Sequence, residues 1–238
     1  MRKLNILLVA AVFYSPNLFA MRNGTFVESK TQPSIGSLFP NCTATLISQN
    51  VAITAGHCIF LKGAQQSLTV TQSNGVDVEL HPEKVEVLSR VLSREIALVR
   101  FKESVSNMQF SKLAESLPPE TGEAVGYGYG ATGFMPAPFA LRKGEFSTTL
   151  VATEGGDVLI QVTSTSTDQM PCVGDSGGPL LSRTGELLGI LSFGAGAPGD
   201  STYPSKEEST DRCLATKAAY YVPVTPYLDL IRKFVDGQ

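Results

Sequence analysis

The sequence predicts an all-β protein of antiparallel strands, arranged either as a sandwich or as a pair of barrels. Short segments that are β-branched or alternate in polarity recur along the chain, and clusters of Gly, Pro, Asn and Ser separate them. Roughly a dozen such segments can be counted, and no helical period of comparable length interrupts them. At 238 residues the chain is long enough to bury a substantial core.

The strand-like segments fall into two groups of about equal size. The first group reads, in chain order, "CTATLIS", "NVAIT", "SLTVTQS", "VDVEL", "KVEVLS" and "IALVRF". The second reads "EAVGYGYG", "FSTTLVAT", "DVLIQVTS", "GPLLS", "ELLGILSFG" and "YYVPV". Residues 107–122 separate the groups and are the least strand-like part of the middle, so we predict β domains at residues 21–112 and 113–238. The polar residues 194–212 are expected to form a surface loop.

One helix is predicted at the C-terminus, in the stretch "TPYLDLIRKFVDG". Thr225 can cap this helix, and Pro226 suits its first position. The apolar residues that fall on one helical face are Leu228, Ile231, Phe234 and Val235. We expect this face to dock on the β body.

Residues 1–20 have the pattern of a secretory signal. Arg2 and Lys3 precede the apolar run "LNILLVAAVFY", and the segment ends in "LFA" at Ala20. The run is too short to span a bilayer. Without these residues the formal charge changes from −3 to about −5, which excludes a basic surface for nucleic acid. We therefore expect a secreted or periplasmic protein that has no membrane attachment once the signal is removed.

The four cysteines, at positions 42, 58, 172 and 213, all follow the predicted signal. An oxidising compartment would allow them to pair, and three pairings are open. Their spacing favours Cys42–Cys58 and Cys172–Cys213, with one bridge in each half. Because the chain has no C-x-x-C motif and only two histidines, we expect no metal site and no cofactor.

The stretch "CVGDSGGPL" exposes Ser176 on a glycine-rich backbone. A catalytic serine needs a base within hydrogen-bond reach and donors for the oxyanion that it creates. Glycine at position 174 would allow a substrate to approach the N–H groups of Gly174 and Ser176. The stretch also fits the G-x-S-x-G elbow of α/β-hydrolases, in which the histidine follows the serine. Both histidines of this chain precede Ser176, so that interpretation is excluded.

His57 is the candidate base. It lies in "VAITAGHCIF" beside Cys58, and a disulfide at Cys58 would anchor the backbone next to the imidazole ring. His81 precedes a proline that favours an extended backbone, and we interpret it as an ordinary surface residue.

Together, "LISQNVAITAGHC" and "CVGDSGGPLL" resemble the chymotrypsin-like (trypsin-type) serine peptidases. The segments "IALVRF", "AVGYGYG" and "LLGILSFG" and the terminal helix follow in that family's order. The resemblance implies two antiparallel six-stranded β-barrels with a C-terminal helix, and an active site in the cleft between them. It also implies a serine endopeptidase, a hydrolase that acts on protein or peptide substrates. Protein inhibitors are candidate partners, and a monomer is expected.

The resemblance assigns a role to each catalytic position. Ser176 corresponds to the nucleophile and His57 to the base, and the N–H groups of Gly174 and Ser176 correspond to the oxyanion hole. The family places an aspartate directly before the "IALV" strand, whereas this chain has Glu95 there. Glutamate can orient the imidazole in the same way, although its extra methylene moves the carboxylate by about an ångström or more. Asp77 and Glu86 are the alternative acids.

The resemblance also implies the substrate pocket. Its residues correspond to Met170, Pro171, Ser192, Phe193, Gly194 and Ala218. Met170 stands six residues before the nucleophile, where the family has the pocket floor, and burial of an unpaired charge on a thioether is unfavourable. We therefore expect medium apolar side chains, rather than Lys or Arg, before the scissile bond. Asp168 would restore a basic preference only in a different loop register.

Activation is the second departure from the family pattern. Many members begin with an I-V-G-G-like sequence whose amine pairs with the acid before the nucleophile, which is Asp175 here. The nearest match, "SIGS" at 34–37, is too close to Cys42 to reach it. We hypothesise that a new N-terminus near Met21, or after Arg22, pairs with Asp175 instead.

The alternative functions are a catalytically impaired homologue that binds peptides or inhibitors, and an esterase on the same fold.

Overall fold

The computed structural model describes residues 21–59, 66–89, 91–130, 140–165, 168–195, 213 and 216–237. The predicted signal and most of the predicted 194–212 loop lie outside these ranges. None of the helices within them is long and apolar enough to cross a membrane.

The N-terminal half forms one antiparallel sheet. The first strands of the chain are β1 (Thr25–Phe26), β2 (Ile35–Leu38), β3 (Cys42–Leu46), β4 (Val51–Thr54), β5 (Leu68–Thr71), β6 (Asp77–Leu80), β7 (Pro82–Val87) and β8 (Ala97–Phe101). Seven of them pair in the order β6-β5-β2-β3-β4-β8-β7. β1 lies elsewhere, on the sheet of the C-terminal half.

The C-terminal half forms a closed barrel. Its strands are β9 (Lys112–Leu113), β10 (Thr121–Gly128), β11 (Arg142–Ala152), β12 (Val158–Ser164), β13 (Pro179–Leu181), β14 (Glu186–Ala195) and β15 (Ala218–Pro223). Six of them follow the order β11-β10-β13-β14-β15-β12, and pairing of β12 with β11 closes the ring. The short strands β1 and β9 attach to β11 and β14.

These pairings confirm the all-β prediction and the closed C-terminal barrel, and they differ from the prediction in the first sheet. That sheet has seven strands, and no pairing among the described residues joins its two edges. The edge strands β6 and β7 are consecutive, with only His81 between them. The sheet therefore curls until one continuous stretch of chain supplies both edges.

The C-terminal helix α1 (Leu228–Val235) follows a 3₁₀ turn at Thr225–Tyr227. The predicted Thr225 cap is wrong, because its buried hydroxyl has no hydrogen-bond partner among the described residues. The turn supplies the first main-chain bond instead, from the Tyr227 N–H to Val224 O at 2.9 Å. The predicted apolar face is confirmed, since Leu228, Ile231 and Phe234 are buried and Val235 packs against the same core.

Side chains of the N-terminal sheet hold the C-terminal end of the helix. Arg100 of β8 donates from Nη2 to the carbonyl oxygens of Phe234 and Val235. The guanidinium of Arg100 and the ammonium of Lys84 lie over the Phe234 ring, 5.3 Å and 5.1 Å from its centroid. One core cluster accordingly includes residues of both sheets and of the helix.

Candidate active site

The Ser176 loop is shaped by two tight turns. The Asp175 N–H donates to Cys172 O at 3.1 Å, and the Gly178 N–H donates to Asp175 O at 2.9 Å. Gly174 and Gly177 have φ values of 93° and 80°, which a residue with a side chain rarely adopts. The glycines therefore permit the sharp backbone that presents the serine.

Hydrogen bonds join this loop to the strands that precede His57. The Thr43 N–H donates to Ser176 O at 2.8 Å, and the Thr43 hydroxyl donates to Gly174 O at 3.1 Å. A Cβ on Gly177 would collide with Thr54 Oγ1 and Thr43 O. This close approach places the serine loop beside the strand that leads to His57.

His57 is bound to Glu95 at two points. Its main-chain N–H donates to Oε2 at 3.0 Å, and its Nδ1 lies 2.7 Å from Oε1. A carboxylate can only accept, so Nδ1 carries a proton, and in the neutral imidazole Nε2 is then the acceptor. Glu95 is 1% exposed, and Oε1 accepts a further bond from the Ser192 hydroxyl at 2.5 Å. The carboxylate is thus desolvated and held by three donors.

Gly56 provides room for this glutamate. A Cβ at that position would lie 2.8 Å from Ser89 O, 3.2 Å from Glu95 Cβ and 3.5 Å from Glu95 Oε2. The first two separations are shorter than ordinary van der Waals contact, so a side chain there would press on Glu95 and on the backbone opposite it. Sequence reasoning missed this role because the contact joins distant parts of the chain.

His81 makes similar contacts at the surface. Its main-chain N–H donates to Glu103 Oε2 at 2.6 Å, and its Nδ1 lies 3.1 Å from Oε1. Both side chains are exposed, as predicted for His81. The main-chain bond from His81 is the largest cause of a lowered pKa at Glu103. The His57–Glu95 pair differs from the His81–Glu103 pair in two ways: its carboxylate is buried, and it lies beside the Ser176 loop.

The predicted oxyanion donors are two main-chain N–H groups of the serine loop. The N–H groups of Gly174 and Ser176 have no hydrogen-bond partner in the described part of the chain. No hydrogen bond joins His57 to Ser176 there, and such catalytic bonds are often long before a substrate binds.

Asp175 is buried behind the serine loop, where three main-chain N–H groups meet its carboxylate. Those of Met21 and Cys172 donate to Oδ2 at 2.8 Å and 2.7 Å, and that of Gly130 donates to Oδ1 at 2.9 Å. Burial raises the pKa of Asp175 to about 6, although the three bonds act in the opposite direction. The Met21 side chain is also fully buried, and a Cβ on Gly144 would lie 2.6 Å from its sulfur.

A pocket opens beside Ser176. It is lined by Pro171, Cys172, Val173, Ser176, Leu191, Ser192, Phe193, Gly194, Cys213 and Thr216. Phe193 stacks on Tyr220, with ring centroids 4.7 Å apart. Met170 and Ala218, which the family resemblance assigned to the pocket, are buried at 1% and 0% exposure and are not part of this lining.

Both predicted disulfides, Cys42–Cys58 and Cys172–Cys213, are present. His57 lies close to the first of them, and the three side chains could be mistaken for a metal site. Disulfide sulfurs are not thiolates, so this group cannot act as a Cys-His ligand set.

The described residues thus bring together groups of the kinds that a serine hydrolase requires. They are a desolvated carboxylate, a histidine, a serine on a glycine loop and two main-chain N–H groups. A family model described as Trypsin matches residues 22–231, and the chain belongs to this family. It is therefore a serine endopeptidase, with protein or peptide substrates.

Named relatives agree with this assignment. Trypsin delta of Drosophila erecta is 28% identical over 187 residues, which cover 69% of this chain and 72% of that protein. The cercarial protease of Schistosoma mansoni is 30% identical over 191 residues, covering 66% and 72%. An uncharacterized peptidase of Corynebacterium glutamicum is 30% identical over 198 residues, covering 80% and 62%.

A solved structure shows the same fold. Neuropsin, a serine protease expressed in the limbic system of mouse brain, matches with a TM-score of 0.66. The match covers 89% of this chain and 98% of that one, at 22% sequence identity.

Proposed function

We propose that this chain is a secreted endopeptidase in which Ser176 is the nucleophile, His57 the general base and Glu95 the orienting acid. The observation that carries the proposal is the buried Glu95 carboxylate, which accepts two bonds from His57. The alternative acids are exposed: Asp77 lies on β6 and accepts from the Thr71 hydroxyl, and Glu86 lies on β7.

The proposed steps follow from the position of each proton. Because Glu95 holds Nδ1–H, Nε2 of His57 can take the proton of Ser176 as Oγ bonds to the peptide carbonyl carbon. The oxyanion that forms accepts from the N–H groups of Gly174 and Ser176. His57 then protonates the leaving amine and the C–N bond breaks. In the second half of the reaction, His57 takes a proton from water as the water oxygen bonds to the acyl carbon. The ester bond to Oγ then breaks, His57 returns the proton to Oγ, and the carboxylic acid product leaves.

Labelling of purified protein by a serine-phosphonylating probe, with intact-mass readout, tests this proposal. A single label that is absent from Ser176→Ala, together with peptide hydrolysis, would support it. Labelling with ester hydrolysis but no peptide hydrolysis would indicate an esterase. A folded, processed protein that takes no label would favour the impaired, binding homologue.

We further propose a preference for medium apolar side chains before the scissile bond. The pocket lining contains no charged side chain among the described residues. The nearby acid that could have favoured basic substrates, Asp168, pairs with Arg22 at 2.7 Å and with Lys217 at 3.8 Å. Among the described residues, a basic substrate side chain would therefore find no acid free to compensate its burial.

Peptide anilides that differ only in this side chain test the preference. The expected kcat/KM is at least tenfold higher with Leu or Ala than with Lys or Arg. Digestion of a peptide library that is dominated by cuts after Lys or Arg would contradict it.

We also propose that removal of residues 1–20 activates the enzyme as it is secreted. The Met21 nitrogen already lies 2.8 Å from Asp175 Oδ2, so a cut after Ala20 would place an ammonium against that carboxylate. Met21 has a φ of 47°, which costs a non-glycine residue about 1 kcal/mol or more. This cost disappears in a first residue, which has no φ.

Two chains test the activation proposal. One begins at Met21 and the other carries a single additional alanine before it. We expect the extension to reduce kcat/KM at least tenfold, since it removes the charge opposite Asp175. Equal activities would refute the proposal, as would an active natural form whose first residue lies well downstream of Arg22.

The monomeric state and the binding of protein inhibitors remain predictions.

A further inference from the structure

Arg22 is a buried cation, and each of its three guanidinium nitrogens donates a hydrogen bond. Only 7% of its side chain is exposed. Nε donates to Asp168 O at 3.0 Å, and Nη1 donates to Cys213 O. Nη2 donates to Asp168 Oδ1 at 2.7 Å and to Thr216 O at 3.0 Å. Burial of a guanidinium is tolerated when each nitrogen finds an acceptor in this way.

The acceptors belong to the two chain segments that form the pocket walls. Asp168 leads into one wall, at residues 171–173, and Cys213 and Thr216 belong to the other. The guanidinium thus bridges the walls from behind. The disulfide between Cys172 and Cys213 joins the same segments, and Arg22 adds contacts on either side of it, at Asp168 and at Thr216.

The geometry of the acceptors suits arginine specifically. Three carbonyl oxygens and one carboxylate oxygen surround one planar group, which presents donors in fixed directions. A lysine ammonium at the same position could pair with Asp168, but it could not span the carbonyls of both walls.

We propose that Arg22 is a positioning residue for substrate selection, which sets the separation of the two pocket walls. The inference rests on the proposed function of that pocket. Because Arg22 directly follows Met21, docking of Met21 at Asp175 also brings the guanidinium between the walls.

The test compares two peptide anilides, with leucine or glycine before the scissile bond. Glycine places no side chain in the pocket. In Arg22→Ala, with the N-terminus verified by mass, we expect KM for the leucine substrate to rise at least tenfold. KM for the glycine substrate and the rate of labelling by a small phosphonylating probe should change less than twofold. Arg22→Lys should recover part of the loss.

Lys217→Ala is the matched control, because Lys217 also approaches Asp168 but is exposed. It should leave both KM values unchanged. An Arg22→Ala effect that is equal for the two substrates, or absent from both, would overturn the proposal. If the wild type is neither labelled nor active, the proposed function itself fails; a labelled wild type with unaltered selectivity in Arg22→Ala refutes this inference alone.

A second variant covers the case in which Arg22→Ala does not fold. Asp168→Asn removes the charge opposite Arg22 and keeps the main-chain acceptor, at a side chain that is 59% exposed. We expect KM for the leucine substrate to rise two- to fourfold, with no change for glycine. An unchanged leucine KM would contradict the role of the ion pair.

Discussion

Replacement of Glu95 by glutamine keeps the shape of the side chain and removes its charge. The new NH₂ group disturbs the interaction with His57 in either orientation of the amide. At the Oε1 position it faces Nδ1 of His57, 2.7 Å away, and forces that atom to accept. Nε2 would then carry the proton and could not take one from Ser176. At the Oε2 position it faces the His57 main-chain N–H, a donor at 3.0 Å.

Only the second orientation leaves the proton on Nδ1 of His57 and lets Nε2 accept one from Ser176. We therefore estimate the rise in the activation barrier from this orientation. A buried donor without an acceptor costs about 1–3 kcal/mol. An imidazolium that loses a counter-charge centred about 4 Å away loses roughly 4 kcal/mol at an effective dielectric constant of about 20. The activation barrier should therefore rise by about 5–7 kcal/mol, which lowers kcat by roughly four to five powers of ten.

Steady-state hydrolysis of a peptide anilide measures this change, and thermal unfolding verifies the fold. Glu103→Gln is the matched control, because Glu103 makes the same two contacts to His81 at the surface. It should not change kcat. A kcat for Glu95→Gln within tenfold of the wild-type value would remove Glu95 from the triad and refute the reasoning from its burial.

Three further changes have expected outcomes. For the uncleaved chain, urea titrations should show the free energy of unfolding falling by about 2 kcal/mol as the pH rises from about 4 to about 6. Burial raises the pKa of Asp175 to about 6, so the unfolded chain releases that proton first. A flat profile would contradict this. Gly56→Ala should lower kcat at least tenfold by pressing on Glu95, the proposed orienting acid. Gly155→Ala, whose methyl would meet only one atom at 3.8 Å, should leave kcat unchanged; equal rates in the two variants would exclude the steric role. Substitution of Cys42 and Cys58 by serine should lower the free energy of unfolding by about 3 kcal/mol in urea, and an unchanged midpoint would count against the bridge as a stabilising element.

The features that could be predicted from the sequence are those with a local signature. Alternation of side chains indicated the strands, and the helical face of Leu228, Ile231 and Phe234 followed from its period. The cysteine spacing favoured the pairing that is present. The open first sheet could not be predicted in this way, because strand pairing at the edges depends on curvature rather than on composition.

The features that could not be predicted are contacts between distant residues. Arg22 reads as an ordinary surface cation, and nothing near it in the sequence indicates that acceptors 146 to 194 positions away surround its guanidinium. Gly56 carries no signal for its closeness to Glu95. The Thr225 cap was predicted from a local rule, but a 3₁₀ turn satisfied the same main-chain groups first.

The two ends of the described chain are exchanged between the halves. β1, near the N-terminus, pairs with β11 of the C-terminal barrel, and the C-terminal helix is held to β8 of the first sheet through Arg100 and Phe234. Each half therefore binds a terminal segment of the other half. A nick in the linking residues 103–111 would leave two fragments that still hold each other without a covalent bond, and neither half should melt before the other.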